Sequence, residues 1–228
     1  MKKRILLSLL IAAITLPAHA QSYIFGETVG RGVVYHYSEL DFAPRDSNLS
    51  FYTSTQYGVA DWLDVGFDLS AGYGETAFGF VLHGGYEVNQ WFKFGLVVDP
   101  SFNLNRGFKF DYITNLLLLN GALTPSGNLW WSSNTLNNVS RDGDWSLENW
   151  WYLGYDIELK GDHCLTPAIG AYHSWLFDTP ADIALSLGYN YKWFNCYIYC
   201  YNLLPQGRTP SDYMPSFALA IDLEIPTK

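Results

Sequence analysis

Leu63-Asp64-Val65-Gly66-Phe67-Asp68-Leu69-Ser70-Ala71-Gly72-Tyr73 is two sequences interleaved. Its odd positions carry Leu, Val, Phe, Leu, Ala and Tyr; its even positions carry Asp, Gly and Ser. Successive side chains of a strand point to opposite faces, so a period of two means a strand with one apolar and one polar face. The pattern recurs along the chain. Phe92, Phe94, Leu96 and Val98 oppose Lys93, Gly95, Val97 and Asp99. Trp151, Leu153, Tyr155, Ile157 and Leu159 oppose Tyr152, Gly154, Asp156 and Glu158. Ile183 to Tyr191 and Phe217 to Ile225 repeat it. Apart from Val97 and Tyr152, the large residues fall on one face and the small and charged ones on the other. These runs approach ten residues, longer than ordinary soluble strands and long enough for a tilted strand to cross a bilayer. The predicted fold class is therefore an all-β, antiparallel, up-and-down transmembrane barrel.

Composition agrees. Of 228 residues, 49% are hydrophobic, 18% aromatic and only 15% charged. Disorder is excluded by the hydrophobicity, and soluble domains carry about 25% charge. The net charge of −9 has the wrong sign for a nucleic-acid surface, so no nucleic-acid partner is expected.

Residues 1–20 read as a signal peptide. Lys2, Lys3 and Arg4 form the positive start, Ile5 to Leu16 the short apolar core, and Ala18-His19-Ala20 the cleavage site. The expected barrel domain is then 21–228, and losing those three bases takes its charge from −9 to −12. With no apolar run long enough for a spanning helix, any crossing is made by strands.

About twelve strands are expected, over 23–37, 49–60, 62–73, 76–88, 91–100, 107–119, 128–136, 147–160, 163–177, 182–192, 194–203 and 215–225. The first would mix Glu27 and Arg31 with Val29 and Val33, which predicts a bulge near Gly30 or Gly32. A hairpin after Leu116–Leu119, at Asn120-Gly121, would instead change the count to about ten or fourteen. Long connections alternate with short ones, as expected of a barrel with outward loops and short periplasmic turns. Trp62, Trp91, Trp150, Trp151, Trp175 and Trp193 fall near strand ends, where amphipathic rings suit a membrane interface.

The signal peptide and the dyad strands resemble bacterial outer-membrane β-barrel proteins as a class. Tyr57-Gly58-Val59-Ala60-Asp61-Trp62-Leu63-Asp64-Val65-Gly66 resembles a hairpin of transporter-like barrels of the MetA-pathway type. That resemblance implies a barrel that admits small molecules. Its implied partners are the lipid bilayer, the outer-membrane assembly machinery and small solutes. The chain departs from the common pattern in closing on Pro226-Thr227-Lys228 rather than on a terminal aromatic.

The polar face supplies the candidate selectivity residues: Asp64, Asp68, Lys93, Asp99, Lys109, Asp111, Asp156, Glu158, Lys192, Asp222 and Glu224. Lumen charge sets pore selectivity, so their acidic balance points to a cation-preferring or neutral-solute path. The alternative is a salt-bridge network that plugs the lumen. A surface-interaction barrel is a further alternative, with Asn137–Ser146 and Leu204–Met214 as its longest loops.

A hydrolase needs a nucleophile within reach of a base. His36, Ser38 and Glu39 form one cluster, His173 and Ser174 another. Adjacent residues on a strand face apart, and His36 and Ser38 lie roughly 6.6 Å apart along it, which predicts no nucleophile–base pair. No catalytic residue is assigned. Cys196 and Cys200 are roughly 13 Å apart on one strand, too far to bridge. Cys164 lies two strands away. The histidines lack zinc spacing and no phosphate-binding glycine loop is present, so neither metal nor cofactor is expected.

Overall fold

The computed structural model describes residues 26–43, 48–72, 74–174, 182–201, 203–204 and 215–227. The proposed signal peptide lies outside them. Among the described residues thirteen strands form one antiparallel sheet: β1 (Val33–Ala43), β2 (Asn48–Ala60), β3 (Leu63–Gly72), β4 (Glu75–Asn89), β5 (Phe92–Asn103), β6 (Lys109–Ala122), β7 (Leu129–Ser140), β8 (Trp145–Tyr155), β9 (Ile157–Glu158), β10 (His163–Ser174), β11 (Asp182–Tyr191), β12 (Phe194–Tyr201) and β13 (Ser216–Pro226). Each of β1 to β7 pairs with the next, β8 pairs with β10, β10 with β11, β11 with β12, β12 with β13, and β13 returns to β1. β9 is the two-residue continuation of β8 beyond Asp156 and also pairs with β10. The sheet is therefore a closed barrel of twelve staves with one short extra strand, and closure leaves no edge of unpaired backbone groups.

The alternation that predicts the strands also sorts the wall. Phe67, Leu82, Leu187 and Ile198 project outward from mid-strand, each about half exposed. Asp64, Asp68, Asp99 and Asp222, on the alternate positions, point inward and are buried. This is a barrel turned inside out relative to a soluble one, with its apolar face on the outside.

Three expectations are corrected. The first strand is Val33–Ala43, not 23–37. Residues 26–30 carry no strand structure and lie inside the barrel, so Glu27 and Arg31 share a parity with Val29 and Val33 only on paper. Gly30 and Gly32 form the turn that feeds β1, both with positive φ (86° and 82°), rather than a bulge within it. The hairpin alternative fails because β6 runs unbroken through Leu116–Leu119, which pair with β5 on one side and β7 on the other. The proposed loop Asn137–Ser146 is mostly strand: β7 reaches Ser140, β8 starts at Trp145, and a four-residue turn joins them.

Candidate functional site in the barrel lumen

The barrel has a turn end, where short connections such as 61–62, 90–91 and 192–193 join strands, and a loop end with the longest ones. A cavity of about 1230 Å³ opens at the turn end. Lys93, Asp156, Glu158, Lys192 and Glu224 line it, together with Glu27 of the N-terminal segment. A second cavity of about 580 Å³ opens at the loop end, lined among others by Glu39, Tyr52, Asp68, Asp99, Tyr112 and Trp145. A smaller one beside it is bordered by Asp41, Glu75 and Asp111. The two larger cavities share no lining residue.

Large side chains fill the space between them. Val81, Val97, Leu116 and Leu118 pack together on the inner wall of β4–β6. Tyr35, Tyr37, Tyr197 and Ala220 pack on the wall of β1, β12 and β13. Leu118 is 2% exposed and Tyr35 4%, although both point into the lumen. Residues around a water-filled bore would be wetted; these are not, so the lumen is pinched.

The N-terminal segment contributes to the pinch. The Gly26 N–H donates to Asn120 Oδ1 at 2.8 Å, and its carbonyl lies 3.3 Å from His83 Nε2. Glu27 pairs with Lys93. The Thr28 hydroxyl donates to the Asp61 carbonyl at 2.7 Å, and the Val29 N–H to Asp64 Oδ2 at 3.0 Å. The wall beneath is glycine where the segment comes closest. A Cβ on Gly85 or on Gly95 would stand 2.3 Å from the Gly26 carbonyl oxygen. Only a residue without a side chain admits backbone against backbone there.

The predicted lumen residues divide between these places. Asp64 is fully buried and holds Val29 and, at 3.2 Å, His83 Nδ1. Asp222, also fully buried, accepts from Asn195 and from Tyr35 at 3.5 Å. Asp156 accepts from Trp130 at 3.1 Å and Thr166 at 2.8 Å. Lys93 bridges Glu27 and Glu87, and Lys192 lies 3.9 Å from Asp162 and over the Tyr191 ring. Glu158 and Glu224 border the turn-end cavity, and Asp68 and Asp99 the loop-end one. Asp111 sits at the loop rim with Asn103 and Arg106. Lys109 is exposed at the start of β6 and borders none of these cavities, because β6 begins above them.

The tyrosines were not among the predicted site residues. Tyr37 donates to Glu39, Tyr52 to Asp68 at 3.0 Å, and Tyr201 to Asp41 at 2.5 Å; Tyr172 bonds Glu148. Tyrosine hydroxyls satisfy carboxylate lone pairs without cancelling their charge. The loop-end half of the lumen is thus hydrogen-bonded, and no lysine or arginine lines its larger cavity. Strand parity could have found Tyr52, Tyr112 and Tyr201, all on inward positions; the misplaced first strand hid Tyr35 and Tyr37.

Among the proposed interface tryptophans, Trp62 and Trp91 stand exposed at the turn end, and Trp151 projects outward from the middle of β8. Trp150 points inward instead, its ring 4.2 Å from that of Tyr172 and stacked beside Tyr152. Being one residue from Trp151, it must take the opposite face. Trp193 borders the turn-end cavity. Trp175 lies outside the described residues.

The expectation that His36 and Ser38 stay apart is also corrected: Ser38 Oγ lies 3.1 Å from His36 Nε2. Both take the outward parity of β1, whereas Glu39 faces inward and cannot join them. Thr53 gives its proton to the Tyr37 carbonyl, so at 2.9 Å it accepts from Ser38. Ser38 then accepts from His36 Nε2, and His36 Nδ1 accepts from Thr55 at 2.9 Å. The imidazole donates to the serine rather than taking its proton, the reverse of an activated nucleophile. His173 takes the outward parity of β10. Cys164, Cys196 and Cys200 are free thiols.

No protein-family model matches the chain, and no curated protein matches it in sequence. Solved structures do. The KdgM porin superposes with a TM-score of 0.54 at 10% identity, over 84% of this chain and 98% of the porin. KdgM in complex with disordered oligogalacturonate gives 0.55 at 11%, over 84% and 98%. The NanC porin gives 0.52 at 10%, over 83% and 98%. The chain has the porin barrel fold. At these identities the likeness is one of fold, and nearly the whole of each porin is matched. Within this porin-type barrel, the acidic loop-end lumen and the seated N-terminal segment are features of the chain's own residues.

Proposed function

We propose that this porin-type barrel is a passive channel for small solutes in an outer membrane, reached through a cleaved signal peptide at residues 1–20. The observation that carries the reading is the pair of cavities entering a closed barrel from opposite ends, each lined by ionisable and hydrogen-bonding groups. A barrel that served only as an anchor has no use for water-accessible charge at both mouths. The porin neighbours lend support, since what they share with this chain is the whole barrel. Insertion by the outer-membrane assembly machinery belongs to the same reading.

The pinch between the cavities makes the path narrow. Solutes pass when the side chains and the N-terminal segment at mid-height yield, so flux falls steeply with solute size. Liposome swelling with a graded series of sugars tests this. Swelling with the smallest sugars that fades for larger ones supports the channel; no swelling with any, at high protein loading, removes it and leaves a plugged structural barrel. The hydrogen-bonded His36–Ser38 pair is assigned a structural role on the outer wall, where polar side chains facing lipid must satisfy one another.

A further inference from the structure

The loop-end cavity has a floor that hydrogen bonding within the chain leaves unfinished. Gly79 on β4 stands directly across from Asp68 on β3, and two ladder positions from Asp99 on β5. Asp68 Oδ1 and Asp99 Oδ1 each lie 2.2 Å from the point that a Cβ of Gly79 would occupy. The missing side chain therefore lets two carboxylates lean into contact. Asp68 has Tyr52 as a donor through its other oxygen. Asp99 is 8% exposed, and no donor reaches its Oδ1. An orphaned carboxylate oxygen that deep is costly unless a cation meets it or the pair takes up a proton.

Nothing positive in the described chain does. No lysine or arginine borders this cavity. Arg106, at the rim, is taken up by Glu75 at 2.7 Å and Asp111 at 4.0 Å. Two further carboxylates, Glu39 and Asp144, border the same space. Tyr37, Tyr52, Tyr112 and Trp145 give the rest of its wall an aromatic part, and small polar residues such as Ser70, Thr114 and Asn138 fill in beside them. Paired carboxylates recognise an ammonium group by charge-assisted hydrogen bonds, and electron-rich ring faces hold the adjoining cationic and apolar atoms. At about 580 Å³ the space suits a small organic molecule rather than a bare ion.

We propose that the loop-end cavity is a binding and selectivity site for small organic cations bearing a primary ammonium group. Asp99 and Asp68 take the ammonium, and the rings of Tyr52, Tyr112 and Trp145 take the organic part. This deepens the channel reading and rests on it for transport, though binding itself does not need an open pore. The acidic lumen repels anionic solutes such as sugar acids.

The test is a fluorescence titration of the purified barrel in detergent, because Trp145 borders the site. The probes are 2-phenylethylammonium and its neutral counterpart 2-phenylethanol. The ammonium should bind at least about tenfold more tightly than the alcohol, and Asp99→Asn should remove about tenfold of its affinity. Asp68→Asn is the second variant. Both keep the side-chain shape, and retained heat-dependent gel migration shows that the barrel is folded. Equal affinity for amine and alcohol, or no effect of either variant, overturns the site. So does the absence of binding, which would mean that the two carboxyls share a proton instead. Calcium chloride displacing the amine at lower concentration overturns the organic assignment. In planar bilayers, conduction with no cation preference sinks the selectivity claim, whereas amine binding without conduction sinks only the channel.

Discussion

Replacing Gly95 by alanine places a methyl group where the structure has the N-terminal segment. The new Cβ would stand 2.3 Å from the Gly26 carbonyl oxygen and 2.8 Å from His83 Nε2, inside any tolerable contact. The wall is fixed by the ladders of β4, β5 and β6, so the segment must move. Its displacement breaks the Gly26–Asn120 bond at 2.8 Å and the Gly26–His83 contact at 3.3 Å. Each is worth about 1 kcal/mol net, so the local loss is about 2 kcal/mol. If the shift reaches the Glu27–Lys93 pair and the Val29–Asp64 bond, two charge-assisted interactions add about 1.5–3 kcal/mol each. That is enough to detach the segment while leaving the barrel intact. Gly84→Ala is the control, since its Cβ meets nothing closer than 3.8 Å. Single-channel recording should show a larger unit conductance for Gly95→Ala than for Gly84→Ala. Trypsin should also cleave faster after Arg31, which is exposed at the end of the segment. Unchanged conductance and unchanged cleavage would refute the seating of this segment as part of the pinch.

Three other outcomes follow from the same geometry. Asp64→Ala removes the acceptor of Val29 and leaves buried His83 without its carboxylate; it should lower stability by about 2–3 kcal/mol in urea unfolding from detergent, and a change within error would discount that anchor. A serine-directed fluorophosphonate probe should leave Ser38 unlabelled, because the serine donates its proton to Thr53; labelling that is lost in Ser38→Ala would establish an activated nucleophile. In single-tryptophan variants, brominated lipids should quench Trp62, Trp91 and Trp151 strongly and Trp150 weakly, since only Trp150 faces the lumen; equal quenching would contradict the assigned wall orientation.

Much of the architecture was legible because a strand in a barrel wall obeys one local rule. Leu63 to Gly72 and Phe217 to Ile225 carry their facing in their parity alone, and the strand count followed. The rule fails where the backbone leaves the wall. Residues 26–32 carry one apolar side chain, Val29, and pass for strand only because Tyr23-Ile24-Phe25 and Val33-Val34-Tyr35 flank them in sequence; contacts with Gly85, Gly95, Asn120 and Asp64, distant in sequence, reveal that residues 26–29 lie inside. Parity also told which acids face inward, but not their partners. That Asp68 meets Asp99 over Gly79 depends on register across three strands, and that tyrosines rather than lysines hold Glu39 and Asp41 depends on side-chain reach. The His36–Ser38 contact escaped for a related reason: strand rise gives the separation of Cα atoms, while two long side chains leaning together close it.

The central claim is that solutes pass through this barrel by way of its two cavities. Single-channel conductance of the purified, detergent-refolded protein in a planar bilayer with a potassium chloride gradient tests it most directly. Discrete small steps, a reversal potential on the cation-selective side, and loss of that selectivity in Asp99→Asn are predicted. A bilayer that stays sealed at high loading of correctly folded protein, with the segment 26–30 present and equally with it deleted, would contradict the claim.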